Sequence, residues 1–349
     1  MKKQMLALTM AVSLGMLAGC SPNPDTASTT AAQTTKEDGG NKGAEENTGE
    51  DTSASTWPGS TVQLYVPASA GGGTDMIARL FAQGMSDATG GSFVVVNDGT
   101  GGGTVAMETI RNAKPDGLNL YLGHTGQCGM MATGQYDHSY HDFQMLGTIT
   151  VEGVESNAIC VNKDVPFDTF QEFVEEVKAN PGKYLTGVQS NGNRHFMQLL
   201  LQDATGTEFT IVDCGGVADT ITNLVGGMVD MAILPINNAS QYVESGDLKA
   251  LAITGNNKSL LLPDVPTMKE CGFESCEIPS ISVLVGPQGM SQDDVTKINA
   301  VMKEVLENPD IVEKYNQMAM TAGYHTVEEA VAIVDEMQEK YNKAAEMMN

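Results

Sequence analysis

The run Val62-Gln63-Leu64-Tyr65-Val66-Pro67-Ala68-Ser69-Ala70-Gly71-Gly72-Gly73-Thr74-Asp75-Met76-Ile77-Ala78-Arg79 decides how the chain folds. Val62 to Val66 has the β-branched and apolar content of a strand. Three successive glycines then give the backbone the freedom for a tight turn, and Asp75 to Ala88 carries apolar residues at helical spacing. Strand, glycine turn and helix recur outward from this point. Phe93 to Asn97 leads to Thr104 to Ala113, then Asn119 to Leu122; Ala158 to Asn162 leads to Phe167 to Ala179. The order continues with Tyr184 to Val188, Arg194 to Thr205, Phe209 to Val212, Ala218 to Val225 and Met231 to Leu234. This alternation predicts an α/β protein with parallel sheets covered by helices. Asp293 to Glu307, Pro309 to Met320 and Val327 to Met347 read as amphipathic helices that cover one domain.

The glycines mark where such sheets bind things. The chain has 38 of them, above the roughly 7 % of average proteins, and four strand-to-helix turns take many of these: Ala68 to Asp75, Asp98 to Thr104, Gln189 to His195 and Asp213 to Gly216. In open α/β sheets ligands sit beyond the carboxyl ends of strands, and an uncovered helix N-terminus offers unpaired amides and a dipole that favours negative charge. Four such turns predict an anion-binding cleft between two domains. The same residues have a plainer reading, in which glycine supplies positive φ and Thr74, Asp75, Thr104 and Asp219 cap helices.

At 349 residues the chain is long enough for two domains. Nineteen Lys and Arg against 44 Asp and Glu leave a net charge of −25, which opposes binding to nucleic acid and anionic lipid over most of the surface. At the N-terminus Lys2 and Lys3 precede an apolar stretch from Met5 to Gly19 ending in Leu17-Ala18-Gly19-Cys20, the pattern of a lipoprotein signal peptide with Cys20 as the lipidated residue. Ser21 to Thr56, almost without large apolar residues, reads as a tether. Of the remaining cysteines, 128, 160, 214, 271 and 276, the pair Cys271 and Cys276 could close a small loop, a geometry that spacing alone does not establish.

Three motifs suggest other chemistry and each is incomplete. Gly101-Gly102-Gly103-Thr104-Val105-Ala106 matches a dinucleotide fingerprint, yet the next strand runs into Gly123-His124-Thr125-Gly126 without the acid that would hold a ribose. Ser190 resembles a hydrolase nucleophile, but Val188 stands where the turn requires glycine. His138 and His141, flanked by Asp137 and Asp142, have helical metal-ligand spacing with no second cluster to complete four ligands.

Taken in order, several short segments resemble one family. They are Val66-Pro67 with Ala70-Gly71-Gly72-Gly73-Thr74-Asp75, then Lys114-Pro115-Asp116-Gly117, Tyr136-Asp137 with Asp142-Phe143, and Asn180-Pro181-Gly182-Lys183. Gly192 with His195, Leu224 to Asp230, Leu248 to Thr254 and Leu262-Pro263-Asp264-Val265-Pro266-Thr267 follow. The chain resembles the substrate-binding proteins of tripartite tricarboxylate transporters, the Bug family, over about residues 61 to 325. The resemblance implies a type II periplasmic-binding-protein fold, no cofactor, and a small organic carboxylate held between two lobes. It also implies delivery to the large and small membrane subunits of a transporter, and the N-terminal pattern adds a lipid-anchored, extracytoplasmic location.

The N-terminal pattern gives a signal peptide (1–19) and a lipidated Cys20 with its tether (20–56), and the resemblance divides the rest into a first lobe (57–157 with 253–349) and a second lobe (158–252). The ligand would meet Ser69, Gly72, Gly73, Thr74 and Asp75, with Gly102, Gly103 and Thr125 nearby, and Ser190, Asn191, Gly192, Asn193, His195 and Asp213 from the other lobe. Val212-Asp213-Cys214-Gly215-Gly216 departs from the family's Val-Pro-Tyr turn, and Ile278-Pro279-Ser280-Ile281 lacks its aromatic residue. These departures imply a wider pocket and a ligand whose second group is neutral or cationic. Two further readings share some of these features, a sensor that reports ligand occupancy to a membrane partner and an extracellular hydrolase acting through Ser190.

Overall fold

Val62, Leu64 and Val66 are buried in the first strand while Gln63 is exposed and Tyr65 half-buried, the alternation expected of a strand with one wetter face. The computed structural model describes residues 57–150, 157–318 and 320–348. Contacts divide the chain after Thr52, and both sheets lie in the unit Ser53–Asn349. The signal peptide, Cys20 and the tether lie outside the described residues.

The strands are β1 (Val62–Val66), β2 (Phe93–Asn97), β3 (Asn119–His124), β4 (Phe143–Thr150), β5 (Asn157–Asn162), β6 (Leu185–Val188), β7 (Thr210–Asp213), β8 (Met231–Pro235), β9 (Leu248–Ile253) and β10 (Ser282–Pro287). The helices are α1 (Gly73–Thr89), α2 (Thr104–Arg111), α3 (Cys128–Ala132), α4 (Phe170–Ala179), α5 (Asn193–Thr205), α6 (Val217–Val225), α7 (Ile236–Glu244), α8 (Gln292–Leu306), α9 (Pro309–Gln317) and α10 (Val327–Glu346). None of the described helices is long and apolar enough to cross a membrane.

The first sheet has the order β2-β1-β3-β10-β4 and the second β7-β6-β8-β5-β9. The two are built alike. In each, four strands point the same way and one runs against both its neighbours, β10 between β3 and β4 and β5 between β8 and β9. The expectation of parallel sheets is therefore corrected to mixed sheets. Every residue of β5 and of β10 is buried, and a continuous apolar run records burial on both faces but not strand direction. Direction is set instead by the connections: the chain leaves the first sheet after β4 and returns to it only at β10. The mixed, helix-covered sheets form two lobes.

Helix ends separate into two kinds. Thr169 caps α4, Ser291 α8, Asn308 α9 and Thr326 α10, each accepting a backbone N–H with its side chain. By contrast α1, α2, α5 and α6 begin after Gly72, Gly103, Gly192 and Gly216 with no side-chain cap. The reading of Thr74, Asp75, Thr104 and Asp219 as N-caps is thus replaced: the glycines occupy those positions and leave the first-turn amides uncovered by side chains.

Trp57 is buried in the core beneath the first sheet, where its indole N–H donates to the Gly117 carbonyl at 2.8 Å and its ring stands edge-on to Phe93. All five described cysteines are free thiols, so no bridge joins Cys271 to Cys276. His138 lies beside Glu108 and Asp142, and His141 contacts Asp335 at 2.7 Å; no group of metal-ligating side chains forms among the described residues.

Candidate functional site

The first glycine turn is held open by one buried carboxylate. Asp75 accepts the Gly71 backbone N–H at 2.8 Å, Arg79 Nε at 2.9 Å and Asn97 Nδ2 at 2.9 Å. Asn97 Nδ2 also donates to the Ala68 carbonyl at 3.1 Å. The Arg79 guanidinium, helped by these N–H donors, overrides the cost of burial and holds the Asp75 carboxyl at about 2. Asp75 thereby shapes the loop and presents Gly73 and Thr74 at its rim. Ser69 is exposed and accepts the Gly72 N–H through its carbonyl at 3.1 Å.

The second glycine turn lies underneath. Gly103 has φ +99°, and a Cβ there would come within 2.4 Å of Pro67 Cβ and 2.8 Å of Tyr121 Oη. Gly102, at φ +71°, faces Met130 in the same way. These glycines allow close packing beneath the first loop. Thr125 is fully buried; its hydroxyl donates to the Pro279 carbonyl at 2.9 Å and accepts the Ile281 N–H at 3.0 Å, tying β3 to the segment that returns from the second lobe.

In the second lobe, Asn191 takes a left-handed φ of 59° and donates its N–H to His195 Nδ1 at 3.2 Å. Burial lowers the pKa of His195, with Asp213 acting in the opposite sense. The exposed Asp213 carboxylate accepts the Gly215 N–H at 2.9 Å, and that bond, with the hydroxyl and N–H of Ser190, lowers its pKa. The Ser190 hydroxyl bonds Asp213, and His195 Nδ1 accepts the Asn191 N–H. Gly192 closes the turn, its N–H donating to the Gln189 carbonyl at 2.9 Å.

A cavity of about 1090 Å³ lies where these loops converge with the connecting segments and α10. Gly73 and Thr74 line it from α1, Asn193 and Arg194 from α5, His124 from the end of β3, and Ser275 and Glu277 to Ser282 from the returning segment. Asn157, Asn256 and Asn257 also line it, together with Glu336, Met337 and Lys340 of α10. Of the residues expected from sequence, Gly73, Thr74 and Asn193 border this cavity. Ser69, Gly72, Asp75, Gly102, Gly103, Thr125, Ser190, Asn191, Gly192, His195 and Asp213 are not among the residues that line it. Asn193 bridges three parts: Nδ2 donates to the Ile278 carbonyl at 2.9 Å and Oδ1 accepts the Tyr341 hydroxyl at 2.8 Å.

Sequence reasoning passed over Arg194 and His124. Arg194 lies between two residues that were chosen, and it is one of only three arginines in the chain, a rarity visible without coordinates. Burial lowers its pKa while Glu277 acts in the opposite sense. His124 Nδ1 is buried without a hydrogen-bond partner in the described structure, and burial lowers its pKa. Nothing in the sequence around it marks that state.

Two mixed α/β lobes around a polar cavity, with uncapped helix N-termini on two of its walls, define a solute-binding protein of the type II periplasmic-binding-protein fold. A structure of a TctC solute-binding protein from Polaromonas matches with a TM-score of 0.72 at 23% identity, covering 84% of this chain and 99% of that one. The family described as "Tripartite tricarboxylate transporter family receptor" matches residues 77–349. The chain belongs to this family. A protein of Agrobacterium vitis, described as a UPF0065 protein of the TAR-I ttuE-ttuC' intergenic region, is 32% identical over 265 residues, 74% of this chain and 75% of that one. Two structures from Rhodopseudomonas palustris are each 25% identical. MatC with bound malate has a TM-score of 0.60 and covers 84% of this chain and 100% of its own; a protein with adipate has 0.63, with 83% and 98% covered.

Proposed function

We propose that the protein is an extracytoplasmic, lipid-anchored receptor that captures a small organic carboxylate between its lobes and hands it to the membrane subunits of a tripartite tricarboxylate-type transporter. The observation that carries this reading is the pair of cap-free helix N-termini, α1 and α5, which supply Gly73 and Thr74 on one side of the cavity and Asn193 and Arg194 on another. Such N-termini favour negative charge through their amides and dipoles. The malate and adipate in two relatives are small carboxylates of the size this role requires. The anchor rests on the Leu17-Ala18-Gly19-Cys20 pattern.

The expected second group of the ligand, neutral or cationic, rested on Asp213. That carboxylate is occupied by Gly215 and Ser190 and does not line the cavity, so the cavity's own charged groups are the better guide.

Calorimetry and thermal shift of the full-length protein against mono-, di- and tricarboxylates test the receptor role. A ligand at 100 times its Kd adds about 2.7 kcal/mol of stability. No binding across the panel would refute the carboxylate reading. For the anchor, mass spectrometry of membrane-extracted protein should show a chain starting at a lipid-modified Cys20, and Cys20→Ala should release the protein from the membrane.

A further inference from the structure

We propose that His124 is a ligand-binding residue of the cavity and takes up a proton when a carboxylate enters, so that capture of the anion is coupled to proton uptake from water. The inference rests on the receptor reading above and adds a residue and a proton to the binding step.

The five histidines of the chain are used differently. His141 Nε2 meets Asp335 at 2.7 Å, His325 Nδ1 the Thr148 hydroxyl at 2.7 Å, and His195 Nδ1 the Asn191 N–H at 3.2 Å. His138 lies 3.6 Å from Glu108 and 3.8 Å from Asp142. His124 borders the cavity, and its Nδ1 is buried without a hydrogen-bond partner among the described residues. The sheet puts it there. β1 and β3 are parallel neighbours with Tyr65 opposite Tyr121, so their carboxyl ends open on one edge, β1 into the glycine turn and α1, β3 into His124. An anion at the uncapped N-terminus of α1, where Gly73 and Thr74 line the cavity, therefore arrives at the sheet edge that carries the imidazole.

The groups packed around His124 leave it neutral in the free protein. Tyr140 donates its hydroxyl to the His124 carbonyl at 3.1 Å, and Gln127 Oε1 accepts the His124 N–H at 3.3 Å. Ser282 of β10 stands opposite it, and a Cβ on Gly126 would lie 2.8 Å from Nδ1 and 3.8 Å from the Tyr341 hydroxyl of α10. Burial pushes both tyrosines up, so neither is charged. On α1, Asp75 is turned to Gly71, Arg79 and Asn97. The cavity's charged groups are Arg194 of α5, Glu277 of the returning segment, and Glu336 with Lys340 of α10, yet burial is what lowers the pKa of His124.

A buried imidazole nitrogen with no partner is costly. A carboxylate arriving in the same cavity favours the imidazolium, and the charge-assisted N–H···O bond it accepts is stronger than a neutral one. The proton comes from water, binds an imidazole nitrogen and returns to water when the ligand leaves. His124 in the free protein is neutral above its lowered pKa, whereas with ligand it holds the proton to a higher pH. Between the two values binding takes up a proton, and affinity rises as pH falls by at most about tenfold per pH unit.

The test is calorimetry of the full-length protein with malate, adipate and citrate at about pH 6.5 and about pH 8.5, using wild type, His124→Gln and His195→Gln. Wild type should bind at least one acid threefold or more tighter at the lower pH. Heats in two buffers of different ionisation enthalpy at about pH 7 should show uptake of part of a proton per ligand. His124→Gln, which keeps a hydrogen-bond donor without a titratable ring, should bind with a level affinity across this range and take up no proton. If that variant does not fold, judged by its thermal transition without ligand, NMR of the histidine rings in wild type decides: the His124 ring should be neutral without ligand and protonated with it, and a ring that stays neutral would overturn the inference. A wild-type affinity independent of pH, or a slope lost in His195→Gln but kept in His124→Gln, would also overturn it while the receptor reading stands. Absence of binding by every acid at both pH values would overturn the receptor reading and this inference with it.

Discussion

Asp75 shows how one side chain can govern a site it does not border. Its three nitrogen partners come from the turn, from its own helix and from β2, so the carboxylate fixes the loop that presents Gly73 and Thr74. Its side chain is 3% exposed, and the ordinary Asp value of 3.8 falls to about 2. A depressed carboxyl contributes stability that is present above the unfolded value and lost as pH falls through the folded one. Asp75→Asn should therefore cost about 1 to 3 kcal/mol at neutral pH, and the gap between wild type and variant should narrow by roughly half near pH 3. Urea unfolding at the two pH values checks this; a gap that does not change with pH would refute the account. The role of Asp75 was partly legible, since a carboxylate after three glycines suggests loop organisation. Arg194 was not legible as a cavity-wall charge, because its place there depends on where Glu277 and α10 lie, and nothing local to Asn193-Arg194-His195 specifies that.

At the level of elements, α10 links the two lobes. It packs on α3 and β4 of the first lobe and on α5 of the second. Lys343 pairs with Asp203 at 2.6 Å, the Tyr341 ring stands edge-on to Phe196 at 4.9 Å, and the Tyr341 hydroxyl donates to Asn193 Oδ1 at 2.8 Å. Thr326 and Glu329 start this helix with a reciprocal capping box, visible in the sequence by its spacing. The helix itself was expected from Ala330, Ile333, Val334 and Met337, but its contact with α5 was not, because amphipathic spacing identifies a face and not the surface that covers it. Tyr341→Phe keeps the ring contact and removes the hydroxyl that orients Asn193. It should cost about 1 kcal/mol in chemical denaturation and weaken ligand binding through a less ordered Asn193. Wild-type affinity in calorimetry would show that Asn193 is held well enough by Ile278. Strands β4, β9 and β10 and helices α3 and α7 were not picked out as elements. In β10 the whole run is buried and lacks alternation, and its place depends on a return from the other lobe that no local period records.

Across the whole molecule, the alternating order of strands and helices disclosed the α/β class and the glycine turns pointed to where a ligand is proposed to sit, because both signals are local. The mixed strand directions and the walls supplied by connecting segments depend on the two passages of the chain between sheets, and these lie beyond any local pattern. The same passages are where the lobes would hinge in the receptor reading. At about 1090 Å³ the cavity slightly exceeds the roughly 300–1,000 Å³ typical of ligand pockets, whereas a diacid of four to six carbons is smaller than most drug-sized ligands. Such a molecule would be left largely hydrated unless the lobes approach, and an approach would bring the walls carrying Gly73 and Thr74 and carrying Asn193 to it together. A ligand shifts such an equilibrium by its difference in affinity for the two forms. A diacid long enough to reach both walls should favour the closed form more strongly than the matching monoacid. Small-angle scattering should accordingly show a smaller radius of gyration with saturating diacid than without ligand, and little change with the matching monoacid at equal occupancy. The same contraction with both acids would mean that closure is driven by the first carboxylate alone, and no contraction with either would mean that this cavity binds without closing.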